Sequence, residues 1–143
     1  MKQEKEVVDL YEWLPEYGEN SVSFHSHGKN VILTVEYDID DSSLGEYARR
    51  NIIFESVCSF EVSTFPGIVI STDSDVDYDQ PEDDRLSLGS LREYTDSKVA
   101  DMWTQHFKNQ YIVRHFQILF LSENKRFEMF AKEVIVSDEE YFS

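Results

Sequence analysis

The sequence predicts an α+β fold: mainly an antiparallel β-sheet or a two-sheet sandwich, with one packed amphipathic helix near residues 96–108. Three observations lead there. Apolar and polar residues alternate over several short runs, the period-two mark of half-buried strands. Gly, Pro, Asn and Asp residues suited to turns separate those runs. One segment alone carries the three-and-four spacing of a helical stripe. About six or seven strands fit the pattern, and an open β-barrel is the alternative closure.

The elements follow in order. Val7 to Trp13 is apolar with Asp9 and Glu12 interspersed, and Pro15 stops it, which suits a short helix or an edge strand. Tyr17-Gly18-Glu19-Asn20 reads as a turn. From Ser21 to His27, Val22, Phe24 and Ser26 share one face while Ser23, His25 and His27 share the wet one. Gly28-Lys29-Asn30 turns into the next strand, whose inner face is Val31, Leu33, Val35 and Tyr37. Asp38 to Ser43 is an acidic loop.

Arg50 to Phe65 is the longest β pattern. Ile52, Phe54, Cys58, Phe60 and Val62 fall on one face, but Ser56 interrupts them, so one long strand or two joined by a bend is expected. Pro66-Gly67 marks a turn, and Gly67 to Ser71 a short apolar strand. Thr72 to Asp84 breaks the pattern, and Pro81 excludes a regular element there, leaving an exposed loop.

Asp96 to Lys108 is the helix. Val99, Met102, Trp103, His106 and Phe107 form its stripe, Thr95 or Asp96 offers an N-cap oxygen, and Asn109-Gln110 ends it. Tyr111 to Leu121 has Ile112, Phe116, Ile118 and Phe120 on one face and Val113, Leu119 and Leu121 on the other. With both faces apolar it is placed centrally, under the helix. Ser122 to Arg126 is a turn. Phe127 to Val136 returns, and its apolar phase shifts near Lys132-Glu133, as a β-bulge would make it. Asp138-Glu139-Glu140 is a solvated tail.

Length and composition bound the function. The 143 residues suit a single domain, residues 1–143. The chain is 41% hydrophobic and 14% aromatic, enough apolar surface to offset chain entropy. Its formal net charge is -16, from 29 acidic and 13 basic side chains. The acid is clustered: Asp73, Asp75, Asp77, Asp79, Glu82, Asp83 and Asp84 lie in one run without a base. Such a chain repels phosphate, which argues against nucleic acid and against anionic membranes as partners. It favours a basic protein, because opposite charge speeds encounter; surplus acid also simply confers solubility. Cys58 is the only cysteine, so no internal disulfide forms; its apolar setting suits a core filler. No apolar signal core follows Met1-Lys2-Gln3-Glu4, and no run approaches the ~20 apolar residues of a membrane span, so a cytoplasmic protein is expected.

Few constellations suggest chemistry. Asp73, Asp75, Asp77 and Asp79 are spaced like half of an EF-hand loop, but Tyr78 stands where that loop needs Gly and Asp84 where it needs Glu. His25 and His27 lie on one side of a strand, as zinc ligands do, with His115 and Glu128 as conceivable thirds. His106 beside Trp103 suits a general base or, more ordinarily, a structural histidine. No G-x-S-x-G elbow and no phosphate-binding glycine loop occurs. Accordingly no catalytic residue, metal site or cofactor is assigned. Tyr11, Trp13 and Tyr17 cluster among Glu12, Glu16 and Glu19, a composition that suits anchoring rings and steering carboxylates for a basic protein, or rings that cap the core.

Trp13, Arg50-Asn51-Ile52-Ile53-Phe54 running on to Phe65-Pro66-Gly67, Trp103, and the hairpin His115 to Phe120 with Phe127 to Lys132 together give a texture that resembles small bacterial immunity-type proteins of polymorphic toxin systems, and related families of unknown function. The resemblance implies a small, acidic, cytoplasmic, β-rich protein that binds and blocks a cognate toxin. It spans most of the chain, no diagnostic motif carries it, and no functional residue transfers from it.

The function expected from the sequence is therefore a binding module that neutralises a basic protein, in the manner of an immunity protein. Its partner-binding residues are Tyr11, Trp13 and Tyr17, with Asp73, Asp75, Asp77 and Asp79 standing in for substrate phosphate. Two rivals accompany it. One is a small-molecule-binding or structural homodimer, suggested by the second apolar face of Tyr111 to Leu121. The other is a metal-dependent enzyme using His25 and His27.

Overall fold

The computed structural model describes residues 4–15, 19–39, 46–64, 90–120 and 125–142. Among them are ten strands and one α-helix: β1 (Glu4–Asp9), β2 (Ser21–His27), β3 (Asn30–Asp38), β4 (Tyr47–Glu55), β5 (Ser59–Thr64), β6 (Ser90–Tyr94), α1 (Lys98–His106), β7 (Arg114–Phe120), β8 (Lys125–Ala131), β9 (Glu133–Val136) and β10 (Glu140–Phe142). The expected α+β fold is found, as two antiparallel sheets. The first runs β1-β6-β7-β8-β5. The second runs β10-β4-β3-β2, with β9 also on β4. The expected turn at Pro66-Gly67, the strand Gly67 to Ser71, the acidic loop Thr72 to Asp84 and most of the loop after Asp38 lie outside the described residues.

The two sheets share a bent ribbon. β4 pairs with β9 in the second sheet and β5 with β8 in the first, so both chains of the ribbon change sheet at one place. Glu55 faces Glu133 and Ser59 faces Phe130, which sets residues 56–58 against 131–132. The extra residue makes a bulge, a common way for a strand pair to turn a corner between packed sheets. Ser56 adopts the left-handed conformation there, φ 53°, and donates its N–H to Asn30 Oδ1. The Cys58 N–H reaches the Phe130 carbonyl at 2.8 Å and the Lys132 N–H reaches that of Glu55 at 3.0 Å. The bulge expected at Lys132-Glu133 is thus present, with its surplus residue on the facing strand, where Ser56 broke the alternation.

Alternation along β3 and β4 aims Val31, Leu33, Val35, Tyr37, Ala48, Ile52 and Phe54 inward, all buried. They meet Leu91, Phe116, Ile118, Phe120, Phe127, Met129 and Ala131 of the first sheet in one core. Phe54 and Phe116 join the layers, ring centroids 5.7 Å apart. Each such aromatic contributes roughly 2–3 kcal/mol of transfer free energy.

Several elements differ from expectation. Val7 to Trp13 is both proposed things in succession: the end of edge strand β1, then a 3-10 turn at Leu10–Glu12. β6 is unanticipated, because Arg92 and Glu93 hide its alternation. Glu93 is buried yet satisfied, accepting two hydrogen bonds from the Arg114 guanidinium at 3.0 and 2.7 Å. Those bonds, with the nearby charges of Arg114 and Lys5, hold its carboxyl below the usual range against the opposing pull of burial. In the tail expected to be solvated, Asp138 and Glu140 are exposed, but Glu139 is half-buried and Glu140 opens β10, which pairs with β4.

The helix is shorter than expected and its cap is Ser97, whose Oγ accepts the Ala100 N–H at 3.1 Å; neither Thr95 nor Asp96 takes that place. Its stripe is not buried: Val99 and Met102 are 47% and 67% exposed. The helix is held by small groups instead. Ala100 is its one buried residue, and Thr104 Oγ1 donates to the Ala100 carbonyl and accepts the Val113 N–H. Trp103, Phe107 and Tyr111 are half-buried and stack in sequence, Trp103 on Phe107 and Phe107 on Tyr111. β7 is central, as expected, but begins at Arg114 and leaves Ile112 exposed. On its second face Val113, His115 and Leu119 are buried and Gln117 is half-buried, while Leu121 lies outside the described residues. Among the described residues, no helix is long and apolar enough to cross a membrane.

Candidate functional site

Asp9 closes β1 and caps the 3-10 turn after it: its Oδ1 accepts the Tyr11 N–H at 3.0 Å. The turn buries Leu10 and Leu14 and leaves Tyr11 and Glu12 exposed. Leu14 and Trp13 both donate backbone N–H groups to the Leu10 carbonyl, at 2.8 and 3.1 Å, which fixes its shape. Trp13 is thereby laid against Tyr37 of β3, ring centroids 5.2 Å apart.

A cleft of about 470 Å³ opens beside these rings, walled by Tyr11, Trp13, Tyr37 and Arg50 and edged by Glu12, Asp38 and Glu139. Arg50 occupies the core face of β4, opposite Val35 and two residues before Ile52. Its guanidinium is committed on every side. The carbon lies 5.1 Å over the Trp13 ring, a cation–π contact. Nε donates to Tyr37 Oη, one amine donates to the Ser137 carbonyl, and the other stands 3.6 Å from Glu139. Tyr37 Oη in turn donates to Glu139. Burial first, then this bond to Glu139, pushes the Tyr37 phenol up to about 12. Burial alone would raise the Glu139 carboxyl; hydrogen bonds from Tyr141 and Tyr37 and the charge of Arg50 outweigh it and hold Glu139 low. Burial and the charges of Glu19 and Asp9 raise the Tyr11 phenol.

The cleft is lined by three carboxylates, Glu12, Asp38 and Glu139, of which Glu139 is paired with the Arg50 guanidinium, beside three aromatic rings. Aromatic rings beside carboxylates are groups that the alkyl stem and cationic head of a Lys or Arg side chain can contact.

Of the residues expected to bind a partner, Tyr11 and Trp13 both line this cleft. Tyr17, Asp73, Asp75, Asp77 and Asp79 lie outside the described residues. Tyr37, Arg50 and Glu139 were missed. An arginine in phase with Ile52 and Phe54 was the available signal, because a charge on a core face needs a partner. Glu139 gave none.

Other candidates separate. His25 and His27 sit exposed on edge strand β2. Their conceivable third ligands bond to each other instead: His115 Nε2 is 2.6 Å from Glu128, and its Nδ1 is 2.8 Å from Ser97 Oγ. Among the described residues no group of three or more His, Cys, Asp or Glu side chains is arranged to hold a metal. His106 is exposed, edge-on to Trp103 and Phe107. Cys58 is half-buried at the bulge instead of filling the core, and burial pushes its thiol up, away from the reactive thiolate.

No protein-family model, curated protein or solved structure matches the chain.

Proposed function

We propose that this protein is a binding module for a basic protein partner, engaging it through the cleft at Tyr11 and Trp13. The observation that carries this reading is the meeting of the exposed Tyr11 ring and the half-buried Trp13 ring with carboxylates at one cleft of a chain with net charge -16. Carboxylates speed encounter with a cationic surface, and desolvated rings supply most of the affinity. The finer reading is immunity-type inhibition: the module covers the phosphate-binding surface of a toxin, with the acidic run at Asp73, Asp75, Asp77 and Asp79 imitating phosphate.

The test is capture of partners from the native cytoplasm at low salt, with Tyr11→Ala and Glu12→Lys variants beside the parent chain. Both side chains are exposed, so the fold is preserved. Basic proteins retained by the parent, eluted by salt and lost from both variants are expected. Recovery of no basic protein, or equal recovery by the variants, counts against the reading.

A further inference from the structure

We propose that β2 is a self-association edge, through which two copies of this chain pair antiparallel about a twofold axis near Phe24 and join their second sheets. β2 ends the second sheet and pairs with β3 from Ser21 to His27 without a register shift. Ser23 to His27 are exposed. Among the described residues its outer edge pairs with nothing, and an unbroken edge of this length is a template for another strand, which proteins ordinarily guard with charge, proline or a bulge.

The other borders of the two sheets are guarded. β1 carries Glu4, Lys5 and Glu6, and its register shifts between Glu6 and Val8. β5 carries Glu61. The border formed by β9 and β10 is interrupted between Val136 and Glu140. β2 reads Ser-Val-Ser-Phe-His-Ser-His: no Asp, Glu, Lys, Arg or Pro, in a chain with 29 acidic and 13 basic residues. Apolar surface lies beside it. Phe24 and Phe60 are 43% and 39% exposed, with their rings edge to face at 6.0 Å.

Charge selects the occupant. A basic partner is drawn to carboxylates, and β2 has none to offer it. A second copy, by contrast, needs a stretch free of the chain's own negative charge, and β2 provides that. Pairing centred on Phe24 sets the two Phe24 rings together, Ser23 opposite the partner's His25 and Val22 opposite the partner's Ser26. No carboxylate, ammonium or guanidinium opposes its own kind.

Light scattering and sedimentation of the full chain, from micromolar to millimolar concentration, test this. Twice the monomer mass is expected at the upper end. Added salt should tighten the association, because it screens the repulsion between two acidic bodies. The cleft's binding of a basic partner should weaken with salt, so the two proposals fail separately. The double variant Ser23→Lys and His25→Lys sets lysine opposite lysine twice across the axis. It should raise the dimer dissociation constant about tenfold, while circular dichroism confirms the fold. His25→Lys alone gives a milder shift in the same sense. A chain that stays monomeric throughout, or a dimer that the lysines leave unchanged, overturns the proposal.

Discussion

The guanidinium of Arg50 lies over the indole of Trp13, 5.1 Å from the ring centroid, and ties the N-terminal turn to the second sheet. Tyr37 stands between them, bonded to Arg50 and to Glu139. This cluster governs both the shape of the cleft and its response to pH.

Alkaline stability should report on Tyr37. Its phenol titrates near 10 when the chain is unfolded and near 12 in the fold. A raised folded value means that the neutral phenol favours the fold. Its contribution is complete below about pH 10 and is lost as pH rises toward about 12. Tyr37→Phe removes that loss and lowers neutral-pH stability by about 1 kcal/mol, the net worth of a hydrogen bond. Urea melts of both chains across this range check it: parallel alkaline declines would show that Tyr37 is not the group responsible.

Ser97 and His115 should be energetically coupled. Ser97 Oγ caps the helix and meets His115 Nδ1, while Nε2 meets Glu128 on β8, so one side chain ties the helix start to two strands. Ser97→Ala should lower stability by about 1–2 kcal/mol through loss of the cap. In a double-mutant cycle with His115→Leu, a coupling of about 1 kcal/mol is expected. Strict additivity would show that the histidine is held without the cap.

Core and helix stripe should respond unequally. Phe116 is fully buried between the sheets, and Phe116→Ala should cost about 3–5 kcal/mol. Met102→Ser should change stability by no more than about 0.5 kcal/mol, because Met102 is 67% exposed. Chemical denaturation settles this, and a large loss at Met102 would place the stripe against the sheet after all.

Strand alternation was legible wherever each residue's face was decided by apolarity alone. Val31 to Tyr37, Ile52 to Phe54 and Phe116 to Phe120 fall where period two puts them, and the break at Ser56 and the shift near Lys132 mark opposite sides of one bulge. The composition likewise carries the negative charge whatever the fold. β6 and the tail were illegible because their charged residues are matched by partners distant in sequence: Glu93 by Arg114, and Glu139 by Tyr37 and Arg50. The helix misled for a related reason. Its spacing defines a stripe, but only tertiary contact decides which side docks, and here Ala100 and Thr104 dock while Met102 faces water. Of the cleft, the sequence held the aromatic and acidic residues of one turn. Its depth and charge balance required strands β3 and β4 and the C-terminal segment to converge there, which no local pattern encodes.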